Sequence, residues 1–214
     1  MKANELEAKV IELESRIQAT EDIEAIKKLQ RAYSYYVEHF ESDQILGLFS
    51  HSPDVSVEIN DIGEFKGWEA VKDCYDFSIH CPAYGGVKKP PGEFLNVLAS
   101  LSGIVDLGPD GKTAKGRWYG FAFLAQRREG ENRALIGCGI WENEYIKEKG
   151  TWKFLKLCFS EIFCSPLDQG WVKCPSMPNA EPTIKPPPNR NVNFKTYPSG
   201  YIFPYHYKNP VTGK

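Results

Sequence analysis

The sequence predicts an α+β domain in which helices pack into the concave face of a strongly curved, mostly antiparallel sheet. Three helical patterns lie between residues 20 and 77, and four long strand patterns joined by tight turns follow from residue 94. Consecutive strands joined by tight turns pair as an antiparallel meander, and an amphipathic helix needs such a sheet to cover its apolar stripe. A cone of this shape has an open mouth, which is a natural position for a ligand.

An N-terminal arm, residues 1–19, precedes the domain. Leu6, Val10, Leu13 and Ile17 are spaced in it like the seam of a heptad repeat. Two heptads are too short to be stable alone. We therefore expect the arm to pack on its own domain or on a partner chain.

The long helix of the domain is expected to begin with Thr20 as its N-cap, because Glu21 and Asp22 place negative charge in the first turn. Its apolar stripe consists of Ile26, Leu29, Tyr33, Tyr36, Val37 and Phe40.

Four shorter segments follow the long helix. The residue patterns predict a helix over Asp43–Phe49 capped by Ser42 or Asp43, a strand over Val55–Ile59, an edge strand over Phe65–Gly67 and a helix over Trp68–Phe77. The long irregular loop from Ser78 to Glu93 is a candidate pocket lid.

The second half of the domain consists of strands. They are predicted over Phe94–Val105, Thr113–Arg127, Ala134–Glu148 and Trp152–Phe163. The turns between them contain Gly, Pro, Asp or Asn, which favour tight chain reversal.

Composition changes at Ser165, which we take as the end of a domain covering 20–165. Ten of the fifteen prolines lie in the tail, 166–214. The tail is also rich in aromatic residues, which disordered segments lack. It is therefore expected to be extended and ordered, strapped across its own domain or a neighbouring subunit.

Charge and hydropathy exclude several classes of protein. A formal net charge of −2 gives no basis for nucleic-acid binding, and no apolar run is long enough to span a membrane. The N-terminus lacks the apolar core of a signal peptide, which predicts a cytoplasmic protein. The six cysteines have no CxxC spacing and are expected to be reduced thiols rather than metal ligands.

One ordered set of motifs resembles a known family. Arg31-x-Tyr33, Glu38, Leu48-Phe49 and Pro53-Asp54 are similar to the opening of the SnoaL-like division of the nuclear transport factor 2-like superfamily. The similarity continues through the strands to about residue 165. It implies a cystatin-like cone and, by default, a homodimer or higher homo-oligomer.

The resemblance also implies where the chemistry lies. In cofactor-free lyases of this superfamily the helix end supplies a tyrosine and a carboxylate, which correspond here to Tyr33 and Glu38, with Tyr36 and His39 beside them. A buried carboxylate can serve as a base near neutral pH, and a tyrosine can stabilise an enolate. The helical pattern places Glu38 off the apolar stripe, so a solvent-facing Glu38 is the alternative.

The sheet histidines of those lyases have no counterparts, because Leu95 or Leu98 and Cys158 occupy their regions. The base would then be Glu38, His39, His80 or another carboxylate such as Glu142 or Glu161. The candidate substrate-binding residues are His80, Tyr84, Arg117, Trp118, Tyr119, Trp141 and Asn143. Alternation along the central strand directs either Trp118 or the pair Arg117 and Tyr119 into the cone.

These features predict a cofactor-independent lyase or isomerase, without a metal, acting on a hydrophobic aromatic or polycyclic small molecule. The alternatives are a non-catalytic small-molecule-binding protein and a dimerisation module of the same fold. A cone lined by Glu, His and Tyr favours the enzyme. A cone filled by its own Phe and Trp side chains favours the dimerisation module, and a smooth aromatic pocket without a paired acid and base favours the binding protein.

Overall fold

The computed structural model describes residues 3–59, 63–76, 89–90, 92–128, 131–174 and 196–214, with the backbone alone for 126–128. Most of the loop predicted as a pocket lid lies outside these residues. No helix in the described part of the chain is both long and apolar enough to cross a membrane.

A single helix, α1, runs from Ala3 to Glu38. The prediction that Thr20 caps a new helix is therefore wrong: its hydroxyl donates a hydrogen bond to the carbonyl oxygen of Arg16, 3.0 Å away, as a residue inside a helix can. No glycine or proline separates the arm from the main helix, and extending an existing helix costs less than starting one. Just after α1, Phe40 adopts a left-handed φ of +58° and the chain reverses.

The described residues contain three further short helices: α2, Ser42–Gly47; α3, Trp68–Cys74; and α4, Gly170–Lys173. The predicted extension of α2 to Phe49 is wrong, because Phe49 forms a parallel bridge to Phe154. Ser42 does not cap α2, since its hydroxyl donates instead to the carbonyl oxygen of Tyr75 at 2.7 Å.

Six strands form one sheet in the order β2-β1-β6-β5-β4-β3. Their bounds are β1 Ser56–Ile59, β2 Gly63–Lys66, β3 Leu95–Leu107, β4 Thr113–Arg128, β5 Glu131–Glu148 and β6 Thr151–Pro166. Strands β3 to β6 pair antiparallel in sequence order, which confirms the predicted meander, and β1 joins β6 in parallel. The α+β fold class predicted from the sequence is confirmed.

Aromatic side chains fill the part of the cone between α1 and the sheet. The Tyr33 ring meets the rings of Trp141 and Phe154 edge to face, with centroids 5.6 and 5.7 Å apart. Ile26 of the same helix face is fully buried. Edge-to-face pairs add to the stabilisation that burial of these rings gives.

The tail contacts the outer face of the sheet. Arg117 of β4 donates to Glu142 of β5 and to the carbonyl oxygen of Pro204, the latter at 2.9 Å. A ring nitrogen of His206 lies 2.7 Å from the second oxygen of Glu142, and the Tyr205 ring covers the Arg117 guanidinium at 4.6 Å. Residues 201–207 are thus held on the domain by charge-assisted hydrogen bonds. The domain boundaries at residues 20 and 165 stay a prediction.

An ion pair joins the middle of α1 to β5. The Lys147 Nζ atom lies 2.7 and 3.0 Å from the two carboxylate oxygens of Asp22, whose residue is 6% exposed. Burial by itself raises the pKa of Asp22, but the hydrogen bonds from Lys147, Trp152 and Gln18 together with the charge of Lys147 outweigh it, and the pKa lies below its ordinary value.

The Asp22→Asn variant should lower the free energy of unfolding by about 2 kcal/mol at pH 7, because Lys147 keeps its charge without its partner. Because folding lowers the pKa of Asp22, the ionised carboxylate stabilises the folded state at pH values above its unfolded-state pKa, near 3.9. This stabilisation is lost as the pH falls through the folded-state pKa. The difference between parent and variant should therefore shrink below about pH 4. Urea unfolding at pH 7 and pH 3 measures both effects. Glu24→Gln, which removes the exposed ion pair with Lys27, is the control and should change neither value.

Candidate active site

Tyr33 lies in the core rather than at the surface of a pocket. It is 2% exposed, and its hydroxyl oxygen lies 3.0 Å from that of Tyr75, at the end of α3. Burial raises the pKa of both phenols, so both remain protonated at neutral pH. Local sequence patterns do not indicate this Tyr75 partner, because the two residues are 42 positions apart.

Asn143 is the centre of a buried hydrogen-bond network. Its Nδ2 atom donates to Gln30 Oε1 of α1 at 2.8 Å, and its Oδ1 atom accepts from the backbone N–H of Cys158 on β6 at 3.0 Å. The Tyr145 hydroxyl also donates to Gln30 Oε1 at 3.2 Å and accepts from Trp118 Nε1 at 3.1 Å. The Asn143 amide is therefore engaged in joining the helix to the sheet.

The same network shows which face of the central strand enters the cone. Trp118 is 3% exposed and pairs across the strands with Trp141, which is 6% exposed, so both indoles lie on the inner face. Arg117 and Tyr119 lie on the outer face, Arg117 in contact with the tail and Tyr119 half exposed. Of the two alternatives left open by the sequence, the one that directs Trp118 inward is correct.

Glu38 lies at the C-terminal end of α1 and contacts the sheet. Its Oε1 atom accepts a hydrogen bond of 2.9 Å from the backbone N–H of Leu98, on the edge strand β3. The side chain is half-buried, so the solvent-facing alternative is wrong. The hydrogen bond fixes the orientation of the carboxylate at the rim of the cone.

A large open cleft adjoins the end of α1. Its volume is about 920 Å³, and it extends from His39 and the start of α2 to the end of α3 and Lys89. His39 is exposed on its wall, whereas Tyr36 is half-buried against the core. The cleft has a mixed lining in which Asp43, Lys72 and Asp73 supply charge.

Among the carboxylates of the described residues, Glu161 is the least exposed. It is 4% exposed and pairs across the strands with Gly139, which in turn pairs with Gly120. Paired residues share a face of the sheet, and these glycines lie beneath the inward-facing rings of Trp141 and Phe159. Sequence reasoning named Glu161 only as an alternative base, because the bulge at Leu155, which brings Phe159 and Glu161 to the inner face, is visible only in the strand register.

Small residues line the inner face beside Glu161. A Cβ atom added at Gly139 would lie 2.3 Å from Phe159, and one added at Gly120 would lie 2.6 Å from the Trp141 indole nitrogen. The aromatic rings therefore rest directly on the sheet backbone at these two positions. In the next row, a Cβ atom at Gly137 would meet nothing closer than the Ala122 methyl group at 3.5 Å.

The remaining candidates can be placed only in part. His80 and Tyr84 lie outside the described residues, so their roles stay predictions. Within the described ranges, no three His, Cys, Asp or Glu side chains are grouped so that they could hold a metal ion.

The Asn143→Ala variant should lower the free energy of unfolding by about 3 kcal/mol, because it leaves Gln30 Oε1 and the Cys158 N–H without their buried partner. Chemical denaturation measures the loss. Asn132→Ala is the matched control: this exposed amide donates to Glu93, and its removal should change stability by less than about 0.5 kcal/mol. Equal stability of the two variants would contradict a structural role for Asn143.

Comparison with solved structures places the fold among known proteins. A hexachlorocyclohexane dehydrochlorinase, LinA type 2, superimposes with a TM-score of 0.57 at 17% identity, over 71% of this chain and 93% of its own. A scytalone dehydratase candidate from Novosphingobium aromaticivorans superimposes with a TM-score of 0.56 at 17% identity, over 78% of this chain and 99% of its own. An NTF2-like protein with a cystatin-like fold from the same organism superimposes with a TM-score of 0.51 at 17% identity, over 75% of this chain and 92% of its own. At these identities the likeness concerns the fold alone.

The family is shown by the sequence itself. No curated protein matches the chain. The profile of the SnoaL-like domain, however, matches residues 18–157, which is more than half of the chain. The match includes α1 from residue 18 onward, the meander up to the middle of β6, and Gln30, Trp118, Asn143 and Tyr145 of the buried network. The chain belongs to the SnoaL-like domain family.

Proposed function

We propose that the protein is a cofactor-independent lyase or isomerase that acts on a hydrophobic cyclic molecule in the open part of the cone. The observation that supports this most directly is the position of Glu161. A carboxylate that is 4% exposed, on the inner face of the sheet and beside the Trp141 and Phe159 rings, is costly to bury and marks a candidate site for proton transfer.

Glu161 would act as the base. Its carboxylate takes a proton from a carbon atom of the substrate, and the electron pair of that C–H bond forms a new double bond. In an elimination the leaving group departs with its own bonding pair, as an anion or, where it is a hydroxyl group, as water after it takes up the proton that Glu161 has removed. In an isomerisation the same proton returns to a different carbon atom. Neither the elimination nor the isomerisation needs an oxidant or a reductant.

Glu38 would act at the other side of the substrate. Glu38 is held at β3 by the Leu98 N–H, whereas Glu161 lies on β6, three strands away. Three strand spacings are roughly 14 Å along the sheet, and the curvature of the cone shortens the direct path. This separation suits a polycyclic or substituted cyclic substrate better than a small aliphatic one, and the rings of Trp141 and Phe159 offer it an apolar wall.

The names of two structural neighbours agree with this class of reaction. One is a dehydrochlorinase of hexachlorocyclohexane and the other is a scytalone dehydratase candidate. Their activities support the proposal by analogy of fold, which carries less weight than the position of Glu161.

One observation favours a second candidate function, a binding or dimerisation module without catalysis. The hydroxyl of Tyr33 and the amide of Asn143 are taken up by internal hydrogen bonds, and aromatic rings fill the region around them. Under this alternative, Glu161 would have a purely structural role.

The Glu161→Gln variant should lose roughly 10²- to 10⁴-fold in kcat while it still binds the ligand, because an amide keeps the shape of the side chain but cannot take the proton. Ligands would be found by thermal shift against phenolic, lignan-like, steroid, polyketide-like and halogenated cyclohexane compounds. Turnover of each ligand would then be followed by mass spectrometry. Glu38→Gln should lower kcat as well.

Glu131→Gln is the matched control, since Glu131 is exposed at the start of β5, eight residues along the strand from Gly139, the residue that pairs with Glu161. The Glu131→Gln variant should leave both ligand binding and turnover unchanged. Turnover by Glu161→Gln at the parent rate would exclude Glu161 as the base. Ligands that bind the parent and all variants without conversion would favour the binding protein.

A further inference from the structure

The arm of α1, residues 3–19, carries an apolar seam that the domain does not cover. Every residue from 3 to 18 is exposed. The seam residues Leu6, Val10, Leu13 and Ile17 are 52%, 45%, 48% and 58% exposed. An apolar stripe on a rigid helix is costly to leave in water, which indicates that it is covered by another surface.

The seam faces away from its own domain. The domain-facing side of α1 is marked by the buried residues Asp22, Ile26, Leu29 and Tyr33. At about 100° per residue, the mean direction of the seam lies roughly 160° from the mean direction of these buried residues. The chain's own domain therefore lies on the opposite side of the helix, and a second helix can approach the seam without meeting it.

The residue types along the seam specify how a second helix would pair. With Leu6 and Leu13 at heptad position d, Val10 and Ile17 fall at position a. β-Branched residues at a with leucine at d favour a parallel, two-stranded coiled coil.

The flanking charges specify the orientation independently. Lys9 and Arg16 occupy the g positions, and Glu7, Glu14 and Glu21 occupy the e positions. In a parallel pair, a g residue faces the e residue of the following heptad on the other helix, so Lys9 meets Glu14 and Arg16 meets Glu21 of the second copy. An antiparallel pair would instead place g beside g and e beside e, which brings like charges together. The intrachain contact of Arg16 with Glu12 is long, at 3.9 Å, and both side chains are exposed, so it does not compete strongly.

We propose that the arms of two copies of this chain pair as a parallel two-stranded coiled coil through Leu6, Val10, Leu13 and Ile17. Two heptads are marginal as isolated peptides because a helix must first be nucleated. Here the C-terminal half of α1 is fixed on the sheet, so the arm extends a helix that is already formed. This proposal does not depend on the proposed catalytic function.

The first test is the mass of the full chain in solution, measured by size-exclusion chromatography with light scattering. The parent should have the mass of two chains. The double variant Leu6→Glu/Leu13→Glu should have the mass of one chain and the same thermal unfolding of the domain, because both side chains are exposed on the arm. Ile11→Glu is the matched control: Ile11 is 60% exposed on the arm but lies off the seam, so this variant should stay a dimer.

A parent chain with the mass of one copy at about 100 µM would overturn the proposal. A dimer that survives Leu6→Glu/Leu13→Glu would also overturn it and would direct attention to the outer sheet face, where Leu101, Tyr119 and Phe123 are exposed.

The second test is the orientation of the arms. In a parallel pair Ile17 faces its own counterpart, so Ile17→Cys should form a disulfide-linked dimer under mild oxidation, whereas Ile11→Cys should not. Both variants keep the same native cysteines, which controls for their reactivity. A linked dimer with Ile11→Cys but not with Ile17→Cys would contradict a parallel seam.

Discussion

The hydrogen bond between the Gln30 and Asn143 amides fixes helix α1 on the sheet, and the rest of the molecule depends on that position. Both amides are 1% exposed or less, so each would be costly to bury without the other. With the helix fixed in this register, Tyr33 enters the core, Glu38 reaches the edge strand, and the N-terminal half of the helix is directed outward. One buried polar contact thus determines the packing, the candidate site and the exposed arm together.

The sheet was predictable from the sequence to within a few residues at each strand end, because its turns carry strong local signals. Asp110 and Gly111 lie in the turn between β3 and β4, where Asp110 accepts a hydrogen bond from the Thr113 N–H, and Lys149 and Gly150 adopt positive φ values in the turn between β5 and β6. The prediction of a helix start at Thr20 was wrong because a threonine can either cap a helix or lie inside one. The prediction that α2 extends to Phe49 was wrong because the helical spacing of Phe49 does not indicate its bridge to Phe154.

The candidate site was less predictable, because its geometry depends on contacts between residues far apart in the chain. Helical periodicity placed Glu38 off the apolar stripe, but the backbone N–H of Leu98 on the edge strand β3 donates a hydrogen bond to it. Asn143 resembled a ligand contact, yet its partners come from α1 and β6. The inward direction of Glu161 follows from a bulge between β5 and β6, and a bulge shifts alternation without a reliable sequence signal.

Because α1 is one continuous helix, the proposed pairing of two arms would also set how the two candidate sites of a dimer are oriented. The helix is about 54 Å long, with the arm at one end and the rim of the cone, at Glu38, at the other. Two copies joined in parallel through their arms present both rims in the same direction along the shared axis. A target that displays two ligands on one surface would then meet the second site at a high effective concentration once the first is bound.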